Sequence, residues 1–281
     1  MDNSQYYTFT MTPTTAATGK QLTITNTKDV NNFVYPSLYS LANLSFNTVL
    51  PLPILYIDSS NTSSYTMGSA DNISTFLNIG STSGISYVKS DYARGAGGST
   101  PIPSVFKLIS SSANFNGKNS FRIQGCIGSV ENIPFSSCSV SMVIYGYDGK
   151  GLGLNTVYTV LFASGGPYYN TSTIKYSDHS MAIPAGTITS YVHQAFSVVH
   201  YVFVRNGTIS KIYANGVLVA TTNNGSINST STSPFVFLGE ASNGQWAFNG
   251  EVGNVKLWSS ALTDDQCISI YQQEKTKWGI V

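Results

Sequence analysis

The chain has 281 residues, a formal net charge of +1 and only 10% charged residues, against about 25% in ordinary soluble proteins. That balance leaves no electrostatic footprint for nucleic acid and no polybasic segment for an anionic membrane surface. The opening MDNSQYYTFT has neither the basic nor the apolar region of a secretory signal peptide, and no apolar run approaches the roughly 20 residues of a membrane span. The polar surface must therefore come from Ser, Thr, Asn and Tyr, which suits extracellular, fibre or capsid proteins packed against neighbours.

The length admits one large β-sandwich or a domain with a smaller companion. Cys126, Cys138 and Cys267 are too sparse for a disulfide framework. Buried free thiols are the expectation, with a Cys126–Cys138 pair across adjacent strands as the alternative. There is no CxxC, and the three His residues lie apart from the Cys residues, so zinc-type ligation has no motif.

Residues 1–91 read as a β-rich N-terminal docking segment or small domain. Tyr7, Phe9 and Met11 alternate with Thr, as do Leu22 and Ile24, in the period of a half-buried strand. The run 49–58 carries Pro51 and Pro53 and is expected at a sheet edge. A short helix around 35–44 is the only helical hint in this part. At 92–104, three glycines followed by Pro101 and Pro103 read as a linker. From residue 105 onward, short apolar runs separated by turn clusters predict a sandwich. The expected strands lie at 106–109, 120–123, 139–146, 156–164, 173–176, 180–183, 235–239, 246–248 and 251–258.

The firmest local signal is VVHYVFVRNGTISKIYANGVLVAT (198–221). Its two Asn-Gly pairs, Asn206-Gly207 and Asn215-Gly216, favour two-residue hairpin loops that need positive φ. Three antiparallel strands follow, at about 196–205, 208–214 and 217–222. Val198, His200, Val202 and Val204 face one side of the first strand, and Val199, Tyr201 and Phe203 the other. A strand apolar on both faces is central and covered twice, and His200 is expected as a core histidine. Near the end, Thr263 and Gln266 form a capping box, with Asp264 and Asp265 at the positive end of the dipole. The short helix behind them presents Cys267, Ile270, Tyr271 and Glu274 as one stripe.

Four pieces, FNGKNSFRI (115–123), HYVFVRNGTISKIYANGVLVA (200–220), FLGE (237–240) and FNGEVGNVKLWSSALTDDQ (248–266), carry a family resemblance. In this order and spacing, residues 105–281 resemble a laminin-G-like domain of the concanavalin A-like lectin and glucanase superfamily. The resemblance implies an all-β, antiparallel two-sheet jelly-roll sandwich with a short C-terminal helix. It implies glycan binding, protein binding or a structural role. The polysaccharide-cleaving relatives carry a Glu-x-Asp-x-x-Glu strand, and nothing here matches it. Glu240 and Glu251 are flanked by glycines, and no carboxyl pair at glycosidase spacing is legible.

For sugar, the aromatic-bearing loops are the candidates: Tyr168, Tyr169 and Asn170 in one, Asn243, Gln245 and Trp246 in the other. Rings there would stack on sugar faces while the amides bond hydroxyls; packing of Trp246 under the last strand is the alternative. Some laminin-G-like domains hold Ca²⁺ at loop tips, and only Asp148 and Asp178 sit in comparable loops, a poor start for six to eight oxygen ligands. No resident cofactor is expected. The expectation is a non-enzymatic protein. With its low charge and undefined N-terminal segment, it resembles surface or minor capsid proteins of large DNA viruses. Its partners would be neighbouring capsid or surface proteins and cell-surface glycans. A free extracellular carbohydrate-binding adhesion module is the alternative, and a glycan hydrolase the third reading.

Overall fold

The computed structural model describes residues 50–83, 85–93, 101–133, 137–147, 158–164, 174–177, 180–183, 187–192, 196–207, 209–223, 233–238 and 247–281. The expectations for strands near 7–11 and 21–25 and for a helix at 35–44 lie outside them.

Two antiparallel sheets form the sandwich. In the first, the spatial order is Val217–Asn223, Ile209–Ala214, Val198–Asn206, Ser137–Gly146, Phe248–Trp258, Lys118–Gly125 and Val105–Ser112. In the second it is Thr187–Val192, Ser180–Ile183, Ile174–Ser177, Tyr158–Ser164, Ser233–Phe237, Ile127–Ile133 and Tyr87–Lys89. Between the sheets lie Leu55, Ile123, Val140, Met142, Tyr201, Phe203, Val252 and Leu257, with Ile127 from the second sheet. Burying such side chains is the main drive for closure, at about 1.5–3 kcal/mol each. The sandwich architecture expected from the sequence is the one observed.

The division expected at 92–104 does not hold. The compact unit begins at Pro51, and two strands on the supposed N-terminal side belong to the sandwich. Leu55–Asp58 pairs with Asn254–Leu257, and Tyr87–Lys89 pairs with Ile127–Ser129. The strand Phe248–Trp258 explains the first of these. Lys118–Gly125 covers only its first half, up to Val252, and Leu55–Asp58 completes the same edge. Pro51 and Pro53 end just before that strand, so neither has to donate to the ladder. Even the spacer is tied at its ends, since Tyr92–Ala93 pairs with Ile102–Pro103.

The hairpins match the sequence reading, with one shift. Ala214 pairs with Val217 around Asn215 and Gly216, whose φ values of 47° and 78° are those of a type I′ loop. A Cβ on Gly216 would lie 2.5 Å from the Tyr271 ring, so the turn is pressed against the helix as well as left-handed. In the other hairpin Asn206 pairs with Ile209, so Asn206 stays in the strand. The strands expected at 246–248 and 251–258 meet in one strand, Phe248–Trp258, because Asn249 and Gly250 between them pair in register with Gln124 and Ile123; a bulge falls further along, at Gly253. The pair Tyr65–Met67 and Ile73–Phe76 forms a small hairpin.

The helix spans Asp264–Trp278 and begins with the expected reciprocal capping box between Thr263 and Gln266. It ends at Gly279 with φ 65°. Its buried stripe is Cys267, Ile270, Tyr271, Glu274 and Trp278, lying on the outer face of the first sheet. Thr263→Ala should cost about 1 kcal/mol, read as a small loss of urea midpoint with unchanged slope. All three cysteines are free and buried.

Candidate functional site

The helix-bearing face of the first sheet carries an unusual set of buried ionisable groups. Along Phe248–Trp258, Glu251, Asn254 and Lys256 point to this face, opposite the core residues Val252, Val255 and Leu257. Glu251 is only 2% exposed. Its carboxylate accepts from Ser112 Oγ, from Ser120 Oγ at 2.5 Å, from Asn114 Nδ2 at 2.5 Å and from Tyr147 OH at 2.8 Å. Burial alone would raise its pKa, but these donors outweigh burial and hold the carboxyl below its usual range. The Arg122 guanidinium lies 4.7 Å over the Tyr147 ring and donates to Asn249 Oδ1 at 2.7 Å, bracing the same corner.

Glu274 projects from the helix into this face and accepts from Lys256 Nζ at 2.5 Å, Asn254 Nδ2 at 2.7 Å and Trp278 Nε1 at 2.7 Å. Asp58 accepts from Lys277 Nζ, Tyr56 OH and the Ser60 hydroxyl. In both, burial pushes the pKa up, but the partners win and the carboxyl is held low. His200 is fully buried, as expected for a core histidine. Its Nε2 pairs with Ser141 Oγ at 2.9 Å, and its ring stacks on Tyr271. Burial drives its pKa down to about 4; Glu274 works against that shift and Lys256 with it. His200 is therefore neutral near neutral pH.

Beside this network opens a cleft of about 540 Å³, lined by Asn114, Tyr145, Phe196, Val198, Asn215 and Ile280 among others. Phe196 is 67% exposed and has φ 62°, a region that a bulky side chain rarely occupies. Its N–H donates to the Gly146 carbonyl at 3.0 Å, which fixes it against the end of Ser137–Gly146. Chemically the cleft offers an aromatic face and amide groups, without a charged side chain among the described residues that line it.

The residues read from the sequence as glycan ligands, Tyr168, Tyr169, Asn170, Asn243, Gln245 and Trp246, lie outside the described residues. So do the calcium candidates Asp148 and Asp178, and Glu240. Among the described residues, no group of three His, Cys, Asp or Glu side chains converges as a metal site, and no helix is long and apolar enough to cross a membrane. Glu251 was legible only as a strand carboxylate between glycines; its four partners were not. Phe196 read as the first residue of a strand, with nothing to mark it as exposed.

Residues 155–267 match the family model described as the concanavalin A-like lectin/glucanases superfamily. No curated protein matches the chain. Among solved structures, domain 4 of AbnA, a GH43 extracellular arabinanase from Geobacillus stearothermophilus, in complex with arabinotriose, aligns at TM-score 0.51 and 14% identity, over 79% of this chain and 98% of that one. A Trypanosoma rangeli sialidase in complex with sialic acid aligns at TM-score 0.50 and 11% identity, over 79% of this chain but only 33% of the sialidase. The CBM40 of a Ruminococcus gnavus IT-sialidase, bound to α2,3 sialyllactose, aligns at TM-score 0.41 and 12% identity, over 54% of this chain and 96% of that one. At identities this low the arabinanase domain and the sialidase speak for the fold alone. The motifs around the Asn215-Gly216 turn and the Phe248–Trp258 strand thus sit on the architecture they imply: the chain folds as a concanavalin A-like sandwich, and its residues 155–267 carry the sequence pattern of that lectin and glucanase superfamily.

Proposed function

We propose that the protein is a non-enzymatic carbohydrate-binding module. The observation that carries the reading is the state of the buried carboxylates in a lectin-type sandwich. A glycosidase needs one carboxyl kept protonated as the acid beside an ionised partner. Asp58, Glu251 and Glu274 are instead all held low by donors that close around them. Among the described residues these three act as ionised anchors of the scaffold, and none of them is held protonated as a glycosidase's acid must be. The arabinotriose complex of the arabinanase domain, a similar fold matched over nearly its whole length, supports sugar as the ligand class.

The low charge content favours surfaces packed against other proteins, and we extend the reading to display on a virion, with neighbouring capsid or surface proteins as partners. Detection of the chain in purified particles tests that extension; its confinement to a cell fraction contradicts it.

The glycan reading is tested with the full chain on a glycan array, alongside assays for released reducing sugar on every bound glycan. Saturable binding without turnover is expected. Turnover by the purified protein would make it an enzyme and end the non-catalytic reading.

A further inference from the structure

Resting on the carbohydrate-binding reading, we infer that the cleft beside Phe196 is a subsite for an uncharged sugar ring. Its volume, about 540 Å³, lies within the range of small-ligand pockets, roughly 300–1,000 Å³. Phe196 presents two thirds of its surface to solvent from a left-handed backbone. An exposed aromatic held in a disfavoured conformation is a common signature of a functional contact, and an aromatic face is the natural platform for the apolar C–H face of a sugar.

The two amides of the cleft are oriented from behind. Glu251 is an ionised acceptor, so the group of Asn114 that meets it must be the nitrogen. That leaves Asn114 Oδ1 as an acceptor with no partner among the described residues. The His200 backbone N–H donates to Asn215 at 2.9 Å, so the group that meets it must be the oxygen. That leaves Asn215 Nδ2 as a donor with no partner among the described residues. Each side chain is thus anchored at one end on the scaffold and, among the described residues, unpaired at the other. Together they offer one donor and one acceptor, the pair that a hydroxyl, itself donor and acceptor, can satisfy. Among the described residues no Lys, Arg or His lines the cleft, so they offer an anionic sugar no counter-charge, which favours a neutral ligand.

The test is calorimetric titration of the full chain with neutral trisaccharides (arabino-, xylo-, cello- and manno-) and with sialyllactose. Phe196→Ala, Phe196→Tyr and Trp246→Ala are run in parallel, and thermal unfolding confirms that each variant is folded. For a neutral sugar that binds, Phe196→Ala should weaken affinity about tenfold, the scale of one lost aromatic contact. Phe196→Tyr, which keeps the aromatic face, should retain affinity. Affinity unchanged in Phe196→Ala but lost in Trp246→Ala overturns this site and leaves the carbohydrate reading standing. Binding confined to sialyllactose overturns the neutral class. No binding of any sugar by the wild-type chain overturns the carbohydrate reading, and the site with it.

Discussion

Glu251→Ala is expected to lower the stability of the sandwich by about 4 kcal/mol, the scale of several charge-assisted hydrogen bonds lost together. The substitution removes one acceptor and strands the donors of Ser112, Asn114, Ser120 and Tyr147, of which Ser112 and Ser120 are fully enclosed. For a unit of this size that corresponds to a fall in Tm of roughly 10 °C. Glu251→Gln should cost less but still a substantial share, because its amide nitrogen turns a fresh donor toward groups that are themselves donors. Thermal unfolding followed by near-ultraviolet circular dichroism measures both. A loss under about 1 kcal/mol in Glu251→Ala would mean that the four bonds do not form in solution. Because Asn114 also lines the Phe196 cleft, Glu251→Gln should weaken sugar binding at temperatures where the variant is fully folded.

Acidification should destabilise the protein in two separable windows. His200 has a folded pKa of about 4, below the ordinary value near 6.5. Between those values the unfolded chain binds a proton that the folded chain refuses, so stability falls as pH drops from about 6.5 to about 4. The full effect is about 3 kcal/mol. His200→Gln should flatten that slope whatever its cost at neutral pH. The carboxylates contribute in the other window. Asp58, Glu251 and Glu274 are held low, so their stabilisation is present above the ordinary carboxyl range and is lost only as pH falls through their depressed folded values. Urea midpoints at half-unit pH steps resolve the two. A wild-type profile flat from pH 7 to pH 4.5 would place His200 in a wetter setting than the one beneath Tyr271.

What the sequence disclosed, and what it hid, follows the range of the interactions. The Asn215-Gly216 loop and the Thr263 capping box are decided within four residues, by φ tolerance and by a reciprocal hydrogen bond, and both were legible. The alternation of Val199, Tyr201 and Phe203 against Val198 and His200 fixed a doubly covered strand, and the helix supplies the second cover. The Gly/Pro run at 92–104 looked like a linker because local composition cannot reveal that Leu55–Asp58 completes an edge of a strand some 200 residues later. Glu251 is the same problem at a site. Its partners lie 104 to 139 residues away in sequence, so no window contains the arrangement. Phe196 escaped notice for a different reason: an aromatic before a run of valines reads as strand, and only the backbone turn at that residue lifts its ring into solvent.

The central claim is that this sandwich holds neutral sugar against Phe196, and saturation-transfer NMR on the full chain tests it most directly. With a neutral trisaccharide in excess, irradiation of the protein's aromatic protons should transfer saturation to the C–H protons of one sugar face, and the transfer should collapse in Phe196→Ala. Saturation that persists undiminished in Phe196→Ala, or its absence for every neutral sugar with the wild-type chain, would contradict the account.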